Sequence, residues 1–236
     1  MTVAVPEPEQ SPSIERQMPA THQSKDQRRR RGAESRQAII EAAIDCIATR
    51  GLCTTTLDRV AERAQVSRGL VVFHFKSKSR MLVDVLNYLS VEYSAGWDAI
   101  LAHPGAAPSE TILRLLEYDV RFGSERPDYL SVWNAFWGEA KGSTLYREVI
   151  LPRDERYAGD LRTVLAALIK EGDYDHVDVQ AVGTGLMAMQ FGLWLNAHLD
   201  PTPDHYRHGM HVLRAYLASV FPEHFDDRHI ASVELE

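Results

Sequence analysis

"GLCTTTLDRVAERAQVSRGLVVFHFKSKSRML", residues 51–82, decides the fold. Thr56 stands just ahead of Leu57, where a helix needs an N-cap, because its hydroxyl can accept from an unpaired amide of the first turn. Leu57, Val60, Ala61 and Ala64 recur at helical spacing and give that helix one buried face. "AQV" leaves room for a turn only. Ser67 caps a second short helix that begins at Arg68, and Gly69 in its first turn lets another backbone come close. Two short helices joined by a tight turn within about 20 residues form a helix-turn-helix, and such a unit lays its second helix in the major groove of DNA.

The charge distribution agrees with that reading. The 236 residues carry a net charge of −7, which argues against a protein that coats nucleic acid with its whole surface. From Lys25 to Arg80, however, 13 Lys and Arg face 6 Asp and Glu, a net of +7 that leaves −14 for the remainder. A basic N-terminal third on an acidic body predicts one end that meets a polyanion and another that does not.

Outward from the motif, residues 1–27 hold Pro6, Pro8, Pro12 and Pro19 among polar residues and read as a disordered tail. Arg28 to Arg31 follow as a basic arm suited to phosphates or a minor groove. Ile39, Ile40, Ala43, Ile44 and Ile47 keep helical spacing up to Gly51. Beyond the motif, helices fit 78–102, 108–125, 128–141, 143–171, 176–199 and 203–220, with Pro152 placed to kink the longest. No segment alternates as a strand. The expected fold is therefore all-α, with about nine helices. A helix-turn-helix domain spans 28–78, a helical domain 79–222 and a C-terminal tail 223–236.

Cys46 and Cys53 are too few for a disulfide scaffold and read as reduced thiols. The N-terminus lacks the apolar core of a signal peptide. The most apolar run, 181–199, contains Gly183, Thr184, Gly185, Gln190, Asn196 and His198, and reads as a buried helix rather than a membrane span. The expected location is cytoplasmic. No HExxH, GxSxG or phosphate-cradling glycine loop is present, so neither an enzyme nor a cofactor is expected. His205, His208 and His211 sit at i, i+3 and i+6, but the third swings away from the first and no metal site is expected.

Gly51, Thr55, Thr56, Ala61, Ala64, Val66, Ser67, Gly69, Phe73, His74, Phe75, Ser77 and Lys78 together resemble the TetR family of one-component bacterial regulators. The resemblance covers about residues 34–82 and implies an N-terminal three-helix DNA-binding domain followed by a divergent helical domain for ligand binding and dimerisation. It implies DNA contacts at Thr56, Ser67, Arg68, Gly69, Val72, Phe73, His74 and Lys78. Arg68 has the fork to read a guanine, and Lys78 opens a helix whose N-terminus favours a phosphate. Phe73, Phe75 and His74 have core or buttressing roles as the alternative. Two residues depart from the family pattern. Gln65 replaces the usual turn glycine, where a left-handed backbone costs about 1 kcal/mol. Val72 stands where an aromatic residue is common.

"WNAFW" and "FGLWLNAHL" in the second half look like the TetR subgroup that contains a choline-responsive repressor of betaine-synthesis genes. That likeness implies a small-molecule pocket between the middle helices. Trp133, Phe136, Trp137 and Trp194 are its candidate walls, since aromatic faces attract a quaternary ammonium. Trp97, Tyr118 and Tyr157 are further candidates. Asn134, Glu139, Gln190 or Asn196 would be the polar anchor. Core packing is the alternative for every one of these rings. The helix at 176–199 and the last helix, with Tyr206, Met210, Leu213, Tyr216, Leu217 and Val220, are the expected dimer face, Gly183 and Gly185 permitting close approach. The expected protein is a dimeric repressor released from a palindromic DNA operator by a small-molecule effector, choline or another quaternary ammonium. The alternatives are a regulator of an apolar or aromatic metabolite, or a helical small-molecule carrier without specific DNA binding.

Overall fold

The computed structural model describes residues 20–139, 144, 146–202 and 204–225. The chain divides into two compact units, residues 1–37 and 38–236. In the first unit the described residues are helical and belong to the start of α1 (Ala20–Arg50). This helix begins inside the stretch expected to be a disordered tail, of which residues 1–19 lie outside the described residues. Gln, Lys, Arg, Ala and Glu are good helix formers, and they carry the helix through Arg28–Arg31, so the arginine run is helical rather than an extended arm. Its guanidiniums are exposed, and Arg30 pairs with Glu34 one turn on at 3.2 Å.

In the second unit the end of α1 buries Ile39, Ile40, Ala43, Ile44 and Ile47, the predicted stripe. Gly51 stops the helix with φ of +82°, a conformation open to glycine. Then come α2 (Leu57–Arg63) and α3 (Arg68–Phe75), packed on each other, and the long α4 (Lys78–Leu101). The remaining helices are α5 (Pro108–Glu125), α6 (Pro127–Gly138), α7 (Leu151–Glu171), α8 (Val179–Leu199) and α9 (His205–Val220). Among the described residues there are nine α-helices and no strand, and none of the helices is long and apolar enough to cross a membrane.

Helix α5 is the hub of the C-terminal half and packs on α4, α7, α8 and α9, while α6 lies on α8. Residues 140–143 and 145, at the junction of the expected sixth and seventh helices, lie outside the described residues. A π-helical turn at Tyr146–Ile150 leads into α7, and Pro152 sits in the first turn of α7, where its missing N–H has no intrahelical partner to lose. Pro152 therefore starts a helix rather than kinking one.

Of the C-terminal tail expected from 223, residues 223–225 lie among the described residues. Phe225 is buried against Phe221, and residues 226–236 lie outside the described residues. The expected dimer face on α9 is also narrower than predicted. Met210, Leu213 and Leu217 are buried in the chain's own core, leaving Tyr206, Tyr216 and Val220 half-buried. Gly183 and Gly185 serve contacts within the chain. A Cβ on Gly183 would meet Arg162 Cγ at 2.9 Å, and one on Gly185 would meet the Tyr216 hydroxyl at 3.0 Å. Their small size lets α8 approach α7 and α9. The large apolar residues that α8 leaves exposed are Phe191, Leu195 and Leu199, spaced one turn apart.

Candidate DNA-binding face and effector cavity

The helix-turn-helix is held by local hydrogen bonds. The Thr55 hydroxyl, fully buried, donates to Gly51 O at 2.9 Å and closes the loop after α1. Thr56 caps α2 by accepting from Arg59 N at 3.3 Å, and Ser67 caps α3 by accepting from Leu70 N at 3.2 Å. Gln65 in the turn between them has φ of +56°, the left-handed conformation its position demands. Val71 and Phe75 anchor α3 in the core. The opposite side of α3 exposes Arg68, Gly69 and Phe73, with Ser67 at its start, and leaves Val72 and His74 half-buried.

Phe73 is 67% exposed, an unusual place for a phenyl ring in water, and the Lys76 ammonium lies 5.3 Å from its centroid. Lys76 escaped notice in the sequence. Its place next to the exposed ring puts a cation on the face that α3 presents. Arg68 pairs with Asp58 at 2.8 Å, but both side chains are largely exposed, and an exchange for a base or phosphate costs little. Lys78 has a different setting from the one expected. Its ammonium donates to the carbonyls of Leu52 at 2.8 Å and Cys53 at 3.2 Å, so it ties the α1–α2 loop to the start of α4. The first turn of α4 is capped separately by Ser77, which accepts from Arg80 N.

The second feature is a cleft with a cavity volume of about 80 Å³, lined by α4 to α8 and open on one side, where Phe191 is exposed. Several waters or one small organic molecule occupy that much space. Helix α4 contributes Tyr93 and Trp97, α5 Asp119, α6 Trp137, α7 Arg153, Asp154 and Tyr157, and α8 Met187, Gln190, Phe191 and Trp194. Tyr93 is the centre of the aromatic wall, with ring centroids of Tyr157 at 5.0 Å, Trp194 at 5.8 Å and Trp97 at 6.1 Å. Two glycines make room for the aromatic cluster: a Cβ on Gly96 would lie 2.3 Å from the ring of Tyr118, behind the wall, and one on Gly123 would lie 3.0 Å from the Trp194 indole nitrogen.

Of the four predicted walls, Trp137 and Trp194 line the cavity. Trp133 and Phe136 do not. They are 0% and 1% exposed and face the core of the bundle together with Tyr129, Leu130 and Val132. Trp137 instead reaches α8, where its ring centroid lies 4.4 Å from that of Phe191. Among the further candidates Trp97 and Tyr157 reach the cavity, whereas Tyr118 stands behind Tyr93 and donates to its carbonyl at 2.8 Å. Gln190 is the one proposed anchor that lines it. Asn134 donates to Leu130 O, Glu139 and Asn196 are exposed, and none of these three borders the cavity.

The polar groups of the cavity are distinctive. Asp119 is buried, accepts from the Tyr93 hydroxyl, and its pKa is pushed from 3.8 to about 7 by burial. Tyr93 is raised well above its usual range for the same reason. The indole N–H of Trp194 is spent on Asp119 O at 3.0 Å. Trp97 Nε1, Trp137 Nε1 and Gln190 Nε2 are buried without an acceptor among the described residues, each a cost of about 1–3 kcal/mol. Arg153 donates through Nε and Nη2 to one oxygen of Asp154, at 3.1 and 2.6 Å. Its guanidinium lies 3.9 Å over Trp133, 5.6 Å from Tyr157 and 5.8 Å from Tyr93. The buried Trp133 is thus the platform for this cation.

Two elements join the cavity to the DNA-binding helices. Helix α4 begins at the Lys78 clamp and carries Tyr93 and Trp97 about 22–29 Å further along at 1.5 Å per residue. Helix α6 carries Trp137, and Glu139 just beyond it accepts a hydrogen bond from Cys53 Sγ at 3.2 Å. That bond to Glu139 raises the pKa of the exposed thiol.

Residues 39–85 match the family model described as bacterial regulatory proteins of the tetR family, and residues 108–222 match the BetI-type transcriptional repressor C-terminal domain. The HTH-type transcriptional regulator BetI of Rhizobium meliloti (strain 1021) is 28% identical over 169 residues, 71% of this chain and 80% of that protein. BetI of Klebsiella pneumoniae (strain 342) is 26% identical over 201 residues, covering 83% and 93% of the two chains. A transcriptional regulator from Pseudomonas aeruginosa PAO1 shares the fold with a TM-score of 0.70 at 22% identity, over 81% of this chain and 93% of that one. A transcriptional regulator from Saccharomonospora viridis, solved in complex with choline, does so at 0.68 and 23% identity, over 78% and 96%. The chain belongs to the TetR family of transcriptional regulators and carries a BetI-type C-terminal domain.

Proposed function

We propose that the protein is a cytoplasmic, homodimeric repressor that leaves a palindromic operator when a quaternary ammonium compound of the choline type enters the cavity. The observation that carries the effector class is the aromatic wall of Tyr93, Trp97, Trp137, Tyr157 and Trp194 around a buried carboxylate, Asp119. Each desolvated cation–aromatic contact contributes about 0.5–2 kcal/mol, and Asp119 supplies the counter-charge. The choline-bound regulator of Saccharomonospora viridis supports the same class. In the bound dimer each α3 enters a major groove. Ser67 and Thr56 meet phosphates, Arg68 reads a base edge, and Phe73 finds cover against sugar or a thymine methyl. The dimer forms through the exposed Phe191, Leu195 and Leu199 of α8 with the adjoining side of α9.

Effector in the cavity favours one arrangement of α4 and α6, and hence one spacing of the two recognition helices. Release is a population shift limited by the effector's differential affinity for the two states. The test is a gel-shift titration of the operator at fixed salt, with and without millimolar choline. The expected result is weaker operator binding in its presence. Arg68→Ala should weaken operator binding about 5- to 150-fold, the range for one bidentate base contact, and leave the dimer intact by sedimentation. Unchanged operator affinity in Arg68→Ala would remove Arg68 from the interface.

A further inference from the structure

We infer that the cavity selects a zwitterion, a quaternary ammonium joined by a short linker to a carboxylate, and that Arg153 receives the carboxylate. The inference rests on the reading above that an ammonium head enters the aromatic box, and it names the other end of the molecule.

Several donors carried by the lining residues of this cavity have no acceptor among the described residues. Trp97, Trp137 and Gln190 each line it and each carries a buried N–H without an acceptor among the described residues. Gln190 is 5% exposed, so bulk water does not satisfy its amide. Arg153 adds a guanidinium with five N–H groups, of which the two hydrogen bonds it makes go to a single oxygen of Asp154. Against these stand the carboxylates of Asp119, which holds the Tyr93 hydroxyl, and Asp154, which holds Arg153. A carboxylate on the effector brings two oxygens and about four acceptor sites, whereas an alcohol brings one oxygen and a further donor.

Charge points the same way. The Arg153 guanidinium already lies within cation–aromatic range of Tyr93 and Tyr157, two walls of the box, while stacked on Trp133. A purely cationic molecule would place a second positive charge beside it, while the Asp154 carboxylate is already engaged by the guanidinium. A zwitterion places its own negative end there, where the planar fork of arginine matches a carboxylate.

The test uses the full-length protein and two probes with the same trimethylammonium head. N,N,N-trimethylglycine ends in a carboxylate and choline in a hydroxymethyl group. Calorimetric titration should show trimethylglycine binding at least tenfold more tightly than choline. In Arg153→Gln the ratio should fall toward one, because trimethylglycine loses the partner of its carboxylate and choline no longer meets the guanidinium charge. Gln190→Leu, which leaves the Trp133 stack untouched, should lower the ratio by a smaller factor. Choline binding as tightly as trimethylglycine or better in the unmodified protein would overturn the zwitterion and leave the quaternary ammonium reading standing. A preference for trimethylglycine undiminished in Arg153→Gln would overturn the role of Arg153. No heat from either probe or from tetramethylammonium at millimolar concentration would overturn the quaternary ammonium reading and this inference with it.

Discussion

Lys78 and Asp119 hold opposite kinds of tension. Lys78 spends its charge on two backbone carbonyls, Leu52 O and Cys53 O, and so works as a clamp on the loop after α1. Lys78→Met should lower stability by about 1–2 kcal/mol in urea unfolding, the cost of leaving those carbonyls without their charged donor. Reduced operator affinity with unchanged stability would instead assign the ammonium to a phosphate. Asp119 is held partly protonated by burial, with Tyr93 and Arg153 drawing its pKa down and Asp154 pushing it up. Below about pH 4 the carboxyl is neutral in both folded and unfolded chains. Between about 4 and 7 the unfolded chain has lost the proton and the folded one keeps it, so the stability due to this group falls as pH rises through that window. Asp119→Asn should therefore gain more in melting temperature over the unmodified protein at pH 8 than at pH 5. An equal difference at both values would show an ordinary carboxylate.

At the scale of the helix, α8 serves two tasks, and Phe191 takes part in both, lining the cavity and standing exposed. One side supplies Gln190 and Trp194 to the cavity, and Leu195 and Leu199 stand exposed. Leu195→Glu should convert the dimer to a monomer in sedimentation velocity, and a dimer that survives it would move the interface off this stripe. The helices themselves were legible because their signals are local. Thr56 and Ser67 cap amides three residues ahead, and Gln65 occupies a turn whose backbone sign follows from its neighbours. The cavity was harder to see. Trp133 and Trp137 lie one turn apart on α6, and which of them looks into a space depends on how α6 sits on α8, some 60 residues on. Asp119 did leave a trace that went unread. It lies in the stripe Ile112, Leu115, Leu116, Asp119, Val120, Gly123, a carboxylate at a position whose neighbours are all buried. Arg153 left none, because one arginine in a turn rich in charged residues looks like a solvated side chain.

Across the molecule, the tryptophans are confined to one region. All four belong to the effector-binding half, with Trp97, Trp137 and Trp194 in the cavity wall and Trp133 beneath the Arg153 guanidinium. Helices α1 to α3 hold none. Ultraviolet emission excited at the indole band is therefore a built-in optical gauge of the cavity. Effector should quench or shift it in a saturable way with no label attached, and operator DNA added alone should change it little. An emission change on DNA binding that matches the one on effector binding would mean that the same rings move in both events. The regulator would then broadcast its state through light from the residues that sense it.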